Sequence, residues 1–156
     1  MNGEAPKFFA DSMLGKLARW LRTLGCDVEY ERHIEDDALI KRALTEDRIV
    51  LTRDTLLIRR RRLRGRVFFI ESGLAGDQLK AVVDRFNLSA AGFLTRCLRC
   101  NALLERVEKD AVKVSVPPYV YQTHNEFSVC PECARVYWGG THREGMLREM
   151  ERMLKA

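Results

Sequence analysis

No stretch of this 156-residue chain is both long and apolar. Nothing approaches the roughly 20 residues that a bilayer-spanning helix needs. The first residues, MNGEAPKFFADS, lack the apolar core of a secretory signal. A cytoplasmic protein without a membrane partner is expected. There is no glycine-rich phosphate loop and no GxGxxG, which argues against nucleotide-binding folds. There is no internal repeat, and composition carries no collagen-like or disordered bias. The length allows one core, or one core plus a small stapled module.

Charge is present and uneven. Lys and Arg number 27 against 22 Asp and Glu, a net charge of +5. That balance alone is weak evidence for a polyanionic partner. Arg59, Arg60, Arg61, Arg62, Arg64 and Arg66 crowd together, and such a cluster is either a solvated loop or a phosphate-binding patch.

Residues 8–25, FFADSMLGKLARWLRTLG, organise the chain. Phe8, Phe9 and Ala10 read as a short buried strand that Asp11 ends. A helix follows, with Leu14, Leu17, Ala18, Leu21 and Leu24 on one face and Lys16, Arg19 and Arg22 on another side; Gly25 stops it. Residues 27–30 (DVEY) read as a second strand and Asp36-Asp37 open a second helix, with Leu39, Ile40, Ala43 and Leu44 inward. Residues 48–52 (RIVLT) are a third strand, Asp54 follows it, and helical residues carry the arginine cluster. Residues 66–70 (RVFFI) are a fourth strand, 73–76 a turn and 77–86 a helix. This alternation predicts an α/β fold with a doubly wound parallel sheet. Small residues at 89–92 read as a linker. Beyond it, 103–107 and 112–116 alternate like strands, and 119–121 and 126–129 lead into a second cysteine pair. Residues 136–140 come next, and 143–155 form an amphipathic helix whose Met146, Met150 and Met153 stripe suits packing.

Asp11, the Asp36-Asp37 pair and Asp54 fall where strands hand over to helices, the edge at which open α/β sheets bind ligands. Each alone could cap a helix or close an Asx turn. Together they would repel one another unless a cation compensates, and Mg²⁺ or Mn²⁺, as hard cations with a taste for oxygen, suit that task. A haloacid-dehalogenase phosphatase needs Asp two positions after its nucleophile, where this chain has Met13. A receiver domain needs an acidic pair after the first strand, where Asp11 is followed by Ser12.

The cysteines fall as Cys97-Leu-Arg-Cys100 and Cys130-Pro-Glu-Cys133, with Cys26 apart as an expected core thiol. Paired CxxC without an export signal suggests metal rather than disulfides. Four thiolates favour Zn²⁺ in a closed structural site, with iron in a rubredoxin-like site as the alternative. Arg96, Arg99, Tyr137 and Trp138 would offer cations and stacking surfaces to a single-stranded polyanion, though an aromatic pair in a small module is at least as often core.

The residues FFADSMLGKLARWLRTLGCDVEY, then Asp36, RIVLTRD, RCLRCN and CPECARVYWGGTH resemble the Mut-seven C-terminal RNase family. The resemblance implies a PIN-like nuclease domain over residues 1–90, a zinc ribbon over 93–142 and a C-terminal amphipathic helix over 143–156. It implies metal-dependent cleavage of RNA, with Asp11, Asp36 and Asp54 as the catalytic, metal-holding acids. Asp36 is preferred to Asp37 by its spacing from RIVLTRD. Lys16, Arg19 and Arg53 match positions that would touch the phosphate backbone. Many PIN nucleases carry a fourth acid soon after the third, whereas Asp54 is followed by no acid before Glu71. A non-catalytic RNA-binding adaptor with the same fold is therefore the alternative expectation, and a DNA nuclease a third.

Overall fold

The computed structural model describes residues 4–155, and the parallel sheet expected from the alternation is there. Strand β1 (Phe8–Ala10) lies between β2 (Val28–Tyr30) and β3 (Ile49–Thr52), and β4 (Val67–Phe69) pairs with β3, giving the order β2-β1-β3-β4 with every pair parallel. The central strands are apolar because both faces are covered. Phe8, Ala10 and Leu51 enter one core; Phe9 and Val50 enter the other.

Helices α1 (Gly15–Leu24) and α3 (Ala75–Phe86) cover the first face, and α2 (Asp36–Thr45) the second. The arginine-rich connection after β3 makes two short 3-10 turns, Leu57–Arg59 and Arg61–Leu63. They drop Leu57 and Leu63 into the second core and leave Arg59, Arg61 and Arg62 in solvent. Helix α1 ends at Gly25 with φ +100°. A Cβ there would come within 2.3 Å of the Gly92 carbonyl oxygen, so the linker passes where only glycine fits.

The second module is a three-stranded antiparallel sheet, β5 (Glu105–Val107), β6 (Phe127–Val129) and β7 (Val136–Trp138), in the order β5-β6-β7. One sequence expectation fails here. Residues 112–116 are no strand: a 3-10 helix, Lys109–Val112, leads into a turn. Val112 and Val116 are buried and Val114 points fully into solvent, so the period is four and not the alternation expected of an amphipathic strand. Residues 119–121 lie in a short helix, α4 (Pro118–Thr123), which adds Val120 to the same small core.

Helix α5 (Thr141–Lys155) returns to the first unit and packs on α3. Met150 is buried in the first core, and Gly76 of α3 leaves room for Met153, whose Cγ would stand 3.1 Å from any Cβ at that position. No helix among the described residues is long and apolar enough to cross a membrane.

Candidate functional site

Asp11 sits at the C-terminal end of β1 with 6 % of its surface exposed. Its carboxylate accepts the Met13 N–H at 2.9 Å on one oxygen and the Thr52 hydroxyl on the other. Thr52 closes the neighbouring strand β3 and is fully buried; its oxygen in turn accepts the Asp54 N–H at 2.9 Å. Asp54 accepts the Leu56 N–H at 2.8 Å. One buried hydroxyl thus links the carboxylate of Asp11 to the backbone of Asp54 at one edge. Thr52 escaped the reading of the sequence. The signal was available, as a hydroxyl ending an apolar run two residues before an acid.

Asp11 and Asp54 both close Asx turns with these bonds, so each also shapes its loop. Asp36 opens α2, exposed, and forms no hydrogen bond or ion pair among the described residues. Asp37 beside it pairs with Arg60. The parallel topology places the start of α2 at the edge that Asp11 and Asp54 share, but the three carboxylates do not close into a tight cluster. Among the described residues, the only group of three or more ligand-type side chains with donor atoms within 4.8 Å of one another is the four cysteines.

The cations divide. Lys16 and Arg19 are exposed on α1. Arg53 donates to the Glu71 carbonyl at 3.1 Å, while its Nε is buried without a partner. Arg66 pairs with Asp47. Arg22, grouped by spacing with Lys16 and Arg19, is 7 % exposed and faces the second module. It donates to the carbonyls of Val28 at 2.9 Å, Leu98 at 3.1 Å and Arg99 at 3.2 Å. Arg96 is likewise held by the Gly25 and Asn101 carbonyls at 3.1 and 2.9 Å, and Arg99 remains exposed.

The four cysteine sulfurs converge, Cys97 and Cys133 standing 3.8 Å apart. That is far beyond a disulfide bond, and it matches the edge of about 3.8 Å that a tetrahedron of thiolates around zinc would have. Each pair sits on the same turn. The Cys100 N–H points at Cys97 Sγ (3.4 Å) and the Cys133 N–H at Cys130 Sγ (3.5 Å). Cys26 stands outside this group, half-buried against the first core, and burial pushes its thiol up to about 11.

Tyr137, expected to stack on RNA, serves the cysteines instead. Its hydroxyl donates to Cys97 Sγ at 3.3 Å and accepts the Leu98 N–H at 3.1 Å. Burial raises the Cys97 pKa, but this hydroxyl and the nearby backbone N–H groups outweigh burial and bring it down to about 7. A ligand thiolate so stabilised suits metal binding. The four thiolates could hold zinc, and would fill a tetrahedral ion completely.

The first module is thus a parallel α/β unit with an acidic edge, and the second is a knuckle module whose cysteines suit zinc. The chain belongs to the Mut7-C RNAse domain family, which it matches over residues 6–150, nearly its whole length. No curated protein and no solved structure matches the chain. Family membership bears out the resemblance read from the sequence and points to a nuclease-type role with RNA as substrate or partner.

Proposed function

We propose that this protein is a metal-dependent ribonuclease whose site is the C-terminal edge of β1 and β3. The observation that supports the reading most is the buried Thr52 hydroxyl, which donates to the Asp11 carboxylate and accepts the backbone N–H of Asp54. Two acids held at one sheet edge, with the exposed Asp36 at the start of α2, suit Mg²⁺ or Mn²⁺, because such ions commonly bind one or two carboxylates and keep several waters. No tight triad of acids is needed. The metal would supply a water activated as nucleophile and neutralise charge on the phosphate under attack.

The protein's own part is positional. Thr52 keeps its proton on Oγ, directed at Asp11, which holds that carboxylate in place and leaves its other lone pairs for a cation. The Met13 and Leu56 N–H groups hold the Asp11 and Asp54 carboxylates against their loops. Lys16, Arg19 and Arg53 would place phosphates along the edge. The zinc module folds against the sheet and takes no part in the chemistry. Phosphate contacts of this kind make binding fall steeply with salt.

A non-catalytic RNA-binding adaptor is the second reading. It is favoured by the loose arrangement of the three acids and by the absence of an acid between Asp54 and Glu71. Cleavage of labelled single-stranded RNA and DNA in Mn²⁺, Mg²⁺ or EDTA, beside an Asp11→Asn control, separates the two. The nuclease shows metal-dependent RNA cleavage that the substitution abolishes. The adaptor binds RNA with either residue and cuts with neither. Preferential cleavage of DNA would replace the ribonuclease with a deoxyribonuclease.

A further inference from the structure

Three connections that leave the proposed active edge carry the same local device. In Asp11-Ser12-Met13 the Asp11 carboxylate holds the Met13 N–H at 2.9 Å; in Asp54-Thr55-Leu56 the Asp54 carboxylate holds the Leu56 N–H at 2.8 Å. In Ser72-Gly73-Leu74 the Ser72 hydroxyl oxygen holds the Leu74 N–H at 3.1 Å. Each turn ends on a large apolar residue turned into solvent: Met13 is 68 % exposed, Leu56 67 % and Leu74 68 %. They come after β1, β3 and β4, which are consecutive in the sheet and parallel, so all three stand on one edge. Among the described residues of the parallel-sheet unit they are the only large apolar side chains so exposed. A row of uncovered apolar groups at one functional edge, and nowhere else on that unit, marks a contact surface.

Charge decides what it contacts. Lys16 and Arg19 follow Met13 on α1, and Arg59, Arg61 and Arg62 follow Leu56 in the chain, all exposed; Leu74 instead has the exposed acids Glu71 and Asp77 as chain neighbours. An apolar row with cations following two of its three members fits a polyanion that presents apolar faces. Single-stranded RNA does so, because its unstacked bases offer their flat faces while phosphates run alongside. A duplex hides those faces in its stack.

We propose that Met13, Leu56 and Leu74 form a nucleobase-contacting rail, and that this rail makes the edge selective for single-stranded over double-stranded RNA. The inference rests on the ribonuclease reading of the same edge. The three turns are made by backbone N–H groups, so truncating these side chains leaves the turns intact.

The test is binding of the full zinc-loaded chain in EDTA-free buffer without Mg²⁺ or Mn²⁺, in an Asp11→Asn background that prevents cleavage. Fluorescence anisotropy compares a single-stranded oligoribonucleotide, the matching duplex and an abasic strand of equal length. The chain should prefer the single strand. Met13→Ala, Leu56→Ala and Leu74→Ala together should weaken single-strand binding on the order of a hundredfold, with a few-fold to tenfold loss for each alone. Abasic and duplex affinities should move less than twofold, and the salt dependence should stay as it was. A triple variant that keeps its single-strand preference overturns the rail while leaving the ribonuclease reading standing. Unchanged RNA binding with loss of self-association in sedimentation makes the row an interface between copies and also overturns it. Absence of RNA binding by the unsubstituted chain, with no cleavage by the wild type, removes the ribonuclease reading itself.

Discussion

The two cysteine knuckles are one turn in two settings. In the first, the Cys97 N–H binds the Ala102 carbonyl at 2.8 Å and the Asn101 N–H binds the Cys97 carbonyl at 2.9 Å. In the second, Cys130 N–H to Arg135 carbonyl and Ala134 N–H to Cys130 carbonyl repeat this at 2.9 Å each. The residue after each pair is left-handed, φ 69° at Asn101 and 63° at Ala134. That shared backbone meets different surroundings. Ala134 is exposed on the surface of the ribbon. Asn101 is buried and serves as a partner to the free edge of the parallel sheet. Its Oδ1 accepts the Val28 N–H at 3.0 Å, and its Nδ2 donates to Asp27 at 2.7 Å and Glu29 at 3.2 Å. Arg22 binds the same knuckle through the Leu98 and Arg99 carbonyls, and the same strand edge through the Val28 carbonyl. The first knuckle therefore closes an exposed strand edge, a role that natural sheets commonly give to a covering segment, while the second only completes the metal site.

This difference can be broken, most strongly at the metal. Zinc removal, or Cys130→Ser, should unfold the ribbon, since structural zinc contributes about 10 kcal/mol or more to modules of this kind. Hydrogen exchange should then show faster exchange at the Val28 amide as well, because Asn101 no longer has a fixed position. Retained protection at Val28 would separate the two modules.

Arg22→Met comes next. It leaves one buried and two partly buried carbonyls without their donor and should cost about 3 kcal/mol in denaturant titration, against less than about 0.5 kcal/mol for Arg19→Met on the exposed side of the same helix. Asn101→Ala should cost about 2 kcal/mol by leaving the buried Val28 N–H unpaired.

A smaller effect belongs to Asp27. Burial raises its pKa, but hydrogen bonds from Arg48 and Asn101, together with the charges of Arg48 and Arg96, outweigh burial and hold it below the ordinary 3.8. A carboxylate lowered on folding adds stability that is complete above its unfolded pKa and is lost as pH falls through the folded one. Acid melting of the wild type should therefore include this loss below about pH 4, and Asn101→Ala should flatten it. An unchanged acid limb in the variant would remove Asn101 from the network. Smallest, and opposite in sign, is Ala134→Gly. Glycine adopts the left-handed backbone without the Cβ penalty, so stability should rise by up to about 1 kcal/mol in thermal melts.

Much of the fold was legible because its cues are local. Phe8 to Ala10 and Ile49 to Leu51 are continuous apolar runs, and Leu17, Leu21 and Leu24 repeat at helical spacing; such patterns state a period and a face without reference to partners. Val112, Val114 and Val116 misled because valine at every second place suits a strand, while burial of only the first and last suits a turn. Arg22 misled because its spacing puts it beside exposed cations, and nothing within α1 announces that residues 98 and 99 will cover it. At the proposed active edge, Asp11 and Asp54 could be picked out where strands end. Thr52 could not be assigned its task until two strands lay side by side.

The sequence alone determined the chemistry that depends on near neighbours. Two CxxC turns present thiolates three residues apart, and acids at strand ends emerge together wherever the strands run parallel. Tertiary structure alone decided which charges remain free, which apolar side chains stay uncovered and which knuckle holds the sheet. Those outcomes depend on desolvation and on hydrogen-bond partners that arrive from more than 70 residues away, as Arg22 does at Leu98 and Asn101 at Val28.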